Sequence, residues 1–192
     1  PTLDMSQNTV LERFNCFYNQ LTILDLSQNT ALKFLQCGDN QLTSIDVNQS
    51  PLLDTLSCNN NQLTSLDVSQ NTGLTLLACS YNQLTTLDVS QNSALTRLWC
   101  GENQITSLDV SHNAALDVLF CYDNQLSCLN VKNGNNTNFV SFKAHINPNL
   151  TCIEVDDVAY SDTSWTPGSF NFPASSFSSN CNNTCTNIPT EI

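Results

Sequence analysis

A lone cysteine recurs every 21 residues through most of this 192-residue chain. The position is occupied in turn by Cys16, Cys37, Cys58, Cys79, Cys100 and Cys121. Each cysteine stands in a row close to L-x-x-L-x-C-x-x-N-Q-L-x-x-L-D-V-S-Q-N-x-x, and the six rows begin at Leu11, Leu32, Leu53, Leu74, Leu95 and Leu116. Repetition at a fixed period of this size predicts a solenoid, in which each coil packs only on its neighbours.

Each row contains two short stretches in which inward-facing apolar residues alternate with outward-facing ones. Leu77 and Cys79 belong to the first stretch of one row, and Leu87 and Val89 belong to its second stretch. Alternation with period two is typical of β-strands, and the Asn, Gln, Ser and Gly residues between the stretches favour turns. We therefore expect each coil to contain a first strand, a second strand and two turns.

The row resembles the 21-residue class of bacterial leucine-rich repeats, in which L-x-x-L-x-C/L-x-x-N-x-L is followed by a nested L-x-x-L-D-L/V-x-x-N. The match extends over about residues 3–155 and recurs in all six rows. The resemblance implies a repeat solenoid with two short parallel β-sheets, few or no helices and an irregular C-terminal cap. It also implies a bacterial protein that is secreted or held at the cell surface.

Three parts of the chain can be separated by how well they keep the repeat. Residues 1–131 comprise a half-row and the six regular rows, and 132–180 comprise a degenerate row, with one extra residue near Pro148, and a cap. Residues 181–192 are polar and are predicted to be a flexible tail or linker. Because the chain starts in the middle of a row, we expect it to continue into other domains of a longer protein.

The six repeated cysteines are predicted to be buried and unbonded. Matching positions on stacked strands lie about 4.8 Å apart, whereas the Cβ atoms of a disulfide are roughly 3.5–4.5 Å apart. Metal ligands must converge on one point, and a column spreads them along a line. We interpret these thiols as small apolar filler of the core.

The remaining four cysteines are the disulfide candidates. Cys128 and Cys152 precede the second-strand apolar residue of adjacent coils, whereas Cys181 and Cys185 lie in the polar tail. The preferred pairing is Cys128 with Cys152, and the alternative is Cys152 with Cys181, because sequence alone does not fix connectivity. Such bonds agree with a secreted protein, since cytosolic thiols are kept reduced.

Two columns of asparagine are expected to hold the turns by bonding main-chain groups within and between coils. The first ladder is Asn19, Asn40, Asn61, Asn82, Asn103 and Asn124. The second ladder is Asn8, Asn29, Asn71, Asn92 and Asn113, with Ser50 in the one remaining place.

A column of aspartates projects outward from the second strands. Its members are Asp4, Asp25, Asp46, Asp67, Asp88 and Asp109. Hydrogen bonds from the serines two residues later and from nearby backbone N–H groups would offset the repulsion between neighbours. The second interpretation is Ca²⁺ binding along the column, although no loop has the ligand spacing of a calcium site. No other cofactor and no metal site is expected.

The outward positions of the first strands vary freely from row to row, which permits a binding face there. Trp99, Phe120 and Tyr122 bring three large aromatic side chains together on the last two full coils, with Arg97 on the same face and Glu102 and Asp123 at its border. Aromatic clusters with polar neighbours suit a sugar ring or a protein hot spot. The alternative is that the C-terminal cap covers the three rings.

Composition excludes several classes of function. Five basic residues against 17 acidic ones give a formal charge of −12, which repels nucleic acid and anionic lipid. No apolar run approaches the roughly 20 residues that span a bilayer. The two histidines, His112 and His145, have no catalytic motif around them, so we expect no enzyme.

The sequence therefore favours a non-catalytic recognition module that binds a protein or a carbohydrate through the variable face. One alternative is a structural spacer within a larger surface protein. Another is ice binding through an array of hydroxyl groups, although the aspartate column in the same face argues against it. The array is Thr43, Ser44, Thr64, Ser65, Thr85, Thr86, Thr106 and Ser107.

Overall fold

The computed structural model describes residues 2–165, 170–172, 176–181 and 185. The strands in this part of the chain are β1 (Thr2–Leu3), β2 (Arg13–Asn15), β3 (Ile23–Leu24), β4 (Phe34–Gln36), β5 (Thr55–Ser57), β6 (Leu76–Ala78), β7 (Arg97–Trp99), β8 (Ser107–Asp109), β9 (Val118–Phe120), β10 (Cys128–Asn130), β11 (Ser141–Lys143), β12 (Cys152–Glu154), β13 (Phe170–Asn171) and β14 (Ser176–Ser178). A 3-10 helix covers Asn136–Asn138, and one α-helix, α1, covers Val158–Ser164.

The first strands of successive coils form one continuous parallel sheet. Its order is β13-β11-β9-β7-β6-β5-β4-β2. Leu77 of β6 lies opposite Leu56 of β5 on one side and Leu98 of β7 on the other, so pairing advances by one full row at each step. This register confirms the predicted repeat solenoid.

The second strands pair only near the two ends of the solenoid. β1 pairs with β3, and a separate sheet has the order β14-β12-β10-β8. Residues 44–46, 65–67 and 86–88 of the second, third and fourth rows form no strand, so the prediction of two strands in every coil is wrong there. A continuous sheet on one face holds coils at strand spacing, while the opposite face is free to spread. This favours the eight-stranded sheet of first strands as the concave face of the stack of coils.

The core is a set of stacked columns, because each row places the same apolar residue at the same height. One fully buried column is Leu32, Leu53, Leu74, Leu95 and Leu116. Another is Leu35, Leu56, Leu77, Leu98, Leu119 and Phe142, which are the central residues of the large sheet. A coil in isolation would expose both of its faces, so each coil depends on its neighbours for burial.

The degenerate row remains a coil, but its register slips. Phe142 lies opposite Leu119, 23 residues earlier, and Ile153 lies opposite Leu129, 24 residues earlier. One extra residue therefore falls between β11 and β12, where the sequence predicts it, and two more precede β11. The 3-10 helix Asn136–Asn138 lies in the segment that contains those two, and Oδ1 of Asn136 accepts from the N–H of Asp156 at 2.8 Å.

An aromatic plug closes the C-terminal end of the core. It consists of Phe139, Phe142, Trp165, Phe172 and Phe177. Trp165 is 5% exposed and meets the ring of Phe142 edge-on at 5.4 Å between centroids. α1 begins at Asp157, whose carboxylate accepts from the N–H of Tyr160, and it ends beside Trp165. The plug replaces the leucines that a further coil would supply.

Two disulfides attach the tail to the last coils. Cys128 is bonded to Cys185, with Cα atoms 5.6 Å apart, and Cys152 is bonded to Cys181, with Cα atoms 5.8 Å apart. The preferred pairing of Cys128 with Cys152 is therefore wrong, and the alternative pairing of Cys152 with Cys181 is present. Cys128 and Cys152 are in-register neighbours on β10 and β12, one strand spacing apart and pointing the same way. Tail residues approach each of them from outside the sheet and can meet disulfide geometry.

The predicted tail, 181–192, lies mostly outside the described residues. Within it the structure describes Cys181 and Cys185. The boundaries at 131 and 180 and the flexibility of the tail stay predictions.

Candidate functional site

The column of free cysteines lies inside the solenoid. All six thiols are unbonded and buried, and Ala144 occupies the equivalent position in the degenerate row. Burial in an apolar column raises the pKa of each thiol, to about 11 for Cys16 at the N-terminal end and well above the usual value for Cys58 and Cys79. A protonated, enclosed thiol is a poor nucleophile and a poor metal ligand.

This burial predicts how the thiols react. At about pH 8, the folded protein should show almost no reaction with Ellman's reagent, because the reactive thiolate is scarce and the sulfurs are enclosed. After unfolding in guanidinium without reductant, the six free thiols should react together. Ser44→Cys, which places a thiol on the exposed surface, is the control and should react at once. Rapid labelling of a core cysteine in the folded protein would contradict the burial.

The asparagine ladders bond each coil to the one before it. In the first ladder, Nδ2 of Asn82 donates to the carbonyls of Cys58 and Cys79, both at 3.1 Å, and its Oδ1 accepts from the N–H of Leu63 at 3.0 Å. In the second, Nδ2 of Asn92 donates to the carbonyls of Val68 and Asn71 at 3.0 and 2.9 Å. These side chains satisfy turn backbone groups that have no strand partner, and their role is structural.

The aspartate column is explained by local hydrogen bonds. Oδ1 of Asp67 accepts from the N–H of Ser69 at 2.9 Å, and the same bond recurs between Asp25 and Ser27. This backbone bond lowers the pKa of both carboxyl groups. Within the part of the chain that the structure describes, no three His, Cys, Asp or Glu side chains are grouped to hold a metal ion.

The hydroxyl array does not lie on a regular sheet. Three of its four pairs stand on 43–44, 64–65 and 85–86, which form no strand. A continuous second-strand sheet therefore does not carry the array along most of its length.

The outward face of the eight-stranded sheet carries the aromatic residues. Trp99 of β7 stacks on Phe120 of β9, with centroids 6.2 Å apart and planes at 14°. On the other side of Phe120, Nζ of Lys143 in β11 lies 4.9 Å from the ring centroid. The three side chains form a continuous row over three coils, and each is half-buried.

A second outward row lies one step along the chain from the first. The ring of Tyr122 covers Gly101, where an added Cβ atom would lie 2.9 Å from that ring. On its other side Tyr122 stacks on His145 at 5.1 Å between centroids. The Glu102 carboxylate beside the Tyr81 hydroxyl raises the pKa of Tyr81, and Tyr122 adds to the effect.

The structure brings most of the predicted site residues onto one side of the molecule. Arg97 begins β7, opposite Val118, and is exposed. Glu102 and Asp123 follow the strands in left-handed conformations, with φ of 54° and 52°, and border the face. None of this geometry identifies a ligand, and the binding role of the six residues stays a prediction.

The cap aromatics and the face aromatics form separate groups in the described residues. Trp165 and Phe172 pack on the end of the core, whereas Trp99 and Phe120 pack on each other. Trp99 also has its indole N–H buried without an acceptor among the described residues. An unpaired buried donor is destabilising, so stability alone does not favour a tryptophan at this place.

Three further members of this surface, Tyr81, Lys143 and His145, were not predicted from the sequence. Tyr81 occupies the left-handed position that precedes each ladder asparagine, the same position that Glu102 and Asp123 hold in later rows. Lys143 and His145 belong to the degenerate row. Aligning Phe142 with the leucine column and Ala144 with the cysteine column would have placed both on the variable face.

Among the described residues, no helix has the length and apolar character needed to cross a bilayer.

Comparison with known proteins gives structural relatives. No protein-family model matches the chain, and no curated protein matches it. The functional domain of InlJ from Listeria monocytogenes, which includes a cysteine ladder, is 32% identical with a TM-score of 0.73, and the match covers 92% of this chain and 40% of that one.

Two further solved structures agree with it. A leucine-rich repeat protein of Leptospira interrogans is 26% identical with a TM-score of 0.65, covering 79% of this chain and 44% of its own. An internalin, InlF, of Listeria monocytogenes is 23% identical with a TM-score of 0.65 over 78% of this chain and 49% of its own, and it supports the fold alone. The chain spans less than half the length of each of the three. Its structural neighbours are thus bacterial leucine-rich repeat proteins, including internalins, and it has their solenoid fold.

Proposed function

We propose that this chain is a non-catalytic recognition module that binds a protein ligand through the first-strand face, which we define as the outward side chains of the eight-stranded sheet. The aromatic row on that face carries the proposal. Trp99 and Phe120 stand half-buried in a sheet whose neighbouring coils present Ala78 and Ser57 at the same position. Large, rigid side chains of this kind supply most of the energy in protein interfaces.

The solenoid architecture and the two disulfides support the same function. Solenoid coils present a long, regular face on which ligands are bound by residues that do not hold the fold together. Core columns and asparagine ladders repeat in every row, while the face varies. The two disulfides suit an extracellular or surface protein, since such bonds persist in oxidising compartments.

A protein ligand is favoured over a carbohydrate by the packing of the rings. Sugar recognition by an aromatic side chain needs a free ring face. Both faces of Phe120 are occupied, by Trp99 on one side and by Lys143 on the other. What remains of the Phe120 ring for a ligand is its edge, which lies beside the charged Lys143 and matches side chains of a protein better than a pyranose ring.

The test is a selection experiment followed by mutation of the face. A phage-displayed library of random dodecapeptides is selected on the whole chain, and the enriched peptides are synthesised and titrated. Trp99→Ala with Tyr122→Ala should weaken their binding at least about thirtyfold, as loss of hot-spot residues does. Thermal unfolding should change little, because neither side chain is part of the core.

The matched control uses aromatic and aliphatic residues that are exposed elsewhere. Tyr18→Ala with Ile23→Ala removes comparable surface at the N-terminal end, where the two side chains are 78% and 60% exposed, and should leave binding unchanged. If no enriched peptide depends on Trp99 and Tyr122, the recognition face is elsewhere and a spacer role becomes the better account.

A further inference from the structure

Basic residues are concentrated in the strands of the eight-stranded sheet of this strongly acidic chain, and the nearest acidic residues, such as Glu102 and Asp123, lie at the border of that face. The strands of the eight-stranded sheet hold three of the five basic residues, Arg13, Arg97 and Lys143, and none of the 17 acidic residues. The opposite side carries the exposed aspartate column, with Asp25 and Asp67 among its members. Because the chain has 17 acidic and five basic residues, random placement would put about three acidic residues in these strands for each basic one. The strands are therefore enriched in basic residues.

The cations of the face are kept away from carboxylates. The ion pair found in the described residues joins Lys33 to Glu12 at 2.9 Å, outside the strands. No carboxylate of the described chain lies within 4.0 Å of the Arg97 guanidinium or of Nζ of Lys143. Two of the three cations of the face pack on rings instead, with Arg13 at 4.0 Å from the Phe34 centroid and Lys143 over Phe120. With acids more than threefold in excess, cations without a carboxylate partner leave capacity for an anion from outside.

We propose that the first-strand face takes an acidic segment of a protein partner, whose carboxylates meet Arg97 and Lys143 while an apolar side chain beside them packs on Trp99 and Phe120. This inference rests on the proposed function and specifies the class of partner. Lys143 on β11 ends the aromatic row on one side, and Arg97 lies beside Trp99 on β7 at its other end, with β9 between the two strands. A single segment lying across these strands reaches both charges and the rings.

The net charge of the whole chain limits how acidic the partner is. At −12, the field around the molecule repels polyanions such as nucleic acid and heavily sulfated glycans. Short-range pairing with two unpaired cations still favours a few carboxylates set next to apolar groups. The partner therefore has local acidic residues within an otherwise mixed surface, and the salt dependence of binding is modest.

The closing experiment uses the peptides selected above. We expect them to be enriched in Asp and Glu within a few residues of an aromatic or aliphatic residue. Each acidic peptide is compared with an amide form in which Gln replaces Glu and Asn replaces Asp. Both forms are titrated by fluorescence anisotropy against the wild-type protein, Arg97→Gln and Lys143→Gln. The acidic form should bind about fivefold more tightly than the amide form, and each substitution should weaken the acidic form by about twofold while affecting the amide form much less.

Lys132→Gln is the matched control, since it changes the net charge equally at an exposed lysine that contacts the Ser179 carbonyl away from the face. It should leave the preference intact. Peptides that require Trp99 but show no acidic preference, or a preference that survives Arg97→Gln and Lys143→Gln, would overturn this inference and leave the recognition face standing. Tighter binding of a sialylated oligosaccharide than of every peptide would overturn the assignment of a protein partner.

Discussion

Removing the bond between Cys128 and Cys185, by replacing both residues with alanine, should lower the free energy of unfolding by about 4 kcal/mol. The bond closes a loop of 57 residues, and cross-linking a loop of that length restricts the unfolded chain by about that amount. Removing the bond between Cys152 and Cys181, which closes 29 residues, should cost slightly less, about 3.5 kcal/mol. Urea denaturation followed by circular dichroism measures both losses.

The effect should be concentrated at the C-terminal end. Cys185 and Cys181 are attached to β10 and β12 by these bonds, and β12 also pairs with β14. Without the bonds, hydrogen exchange should accelerate first in β12 and β14 and hardly change in β5. Reductant should bring the wild type to the stability of a variant in which all four cysteines of the two disulfides are replaced by alanine, and it should leave that variant unaffected.

Cys79→Ala is the control that distinguishes the stability lost with a disulfide bond from the stability lost with a cysteine side chain alone. Cys79 is a free, fully buried residue of the column, so its replacement removes one sulfur from the core and should cost about 1 kcal/mol. Reductant should not reproduce that loss. If the wild type and both disulfide variants unfold at the same urea concentration, the cap does not depend on its crosslinks.

The solenoid could be predicted because each row has apolar residues at the same positions that must be buried. Leu77 and Cys79 recur at the same place in six rows, and only stacking in register buries every copy. The second strands were harder to predict. Residues such as Asp67 and Ser69 keep the same pattern in rows with and without a second strand. Whether these segments pair depends on the spacing between coils, which is a property of the stack and not of one row.

The cap and the candidate site were predicted less well for a related reason. The pairing of Cys128 depends on where the tail runs, and the tail has no repeat from which to infer its path. Lys143 and His145 were missed because two residues inserted before β11 shift the row. By contrast, Trp99, Phe120 and Tyr122 could be selected from the sequence, since they are larger than the residues at the equivalent positions of most other rows.

The ladder asparagines should contribute nearly as much stability as the disulfides. Asn82→Ala should lower the free energy of unfolding by about 2–4 kcal/mol, because the buried N–H of Leu63 loses its acceptor, the Oδ1 of Asn82. The carbonyls of Cys58 and Cys79 also lose one amide donor each, while Asn61 and Asn103 still donate to them. A buried polar group left unsatisfied costs about 1–3 kcal/mol, and each further hydrogen bond contributes about 0.5–1.5 kcal/mol. The loss is read from the urea midpoint and slope.

Gln83→Ala is the matched control, because it truncates the neighbouring exposed side chain by a similar volume and should change stability by less than about 0.5 kcal/mol.

Asn71→Ser supplies an internal comparison. The second ladder already contains Ser50, whose Oγ donates to the Asn29 carbonyl at 3.1 Å, so a serine there retains one bond to the preceding coil. Asn82→Ser is too short to reach across the turn of the first ladder and should be nearly as damaging as alanine. Equal losses for Asn82→Ala and Gln83→Ala would mean that the coils are held by core packing alone, with water satisfying the turn backbone once the amide is gone.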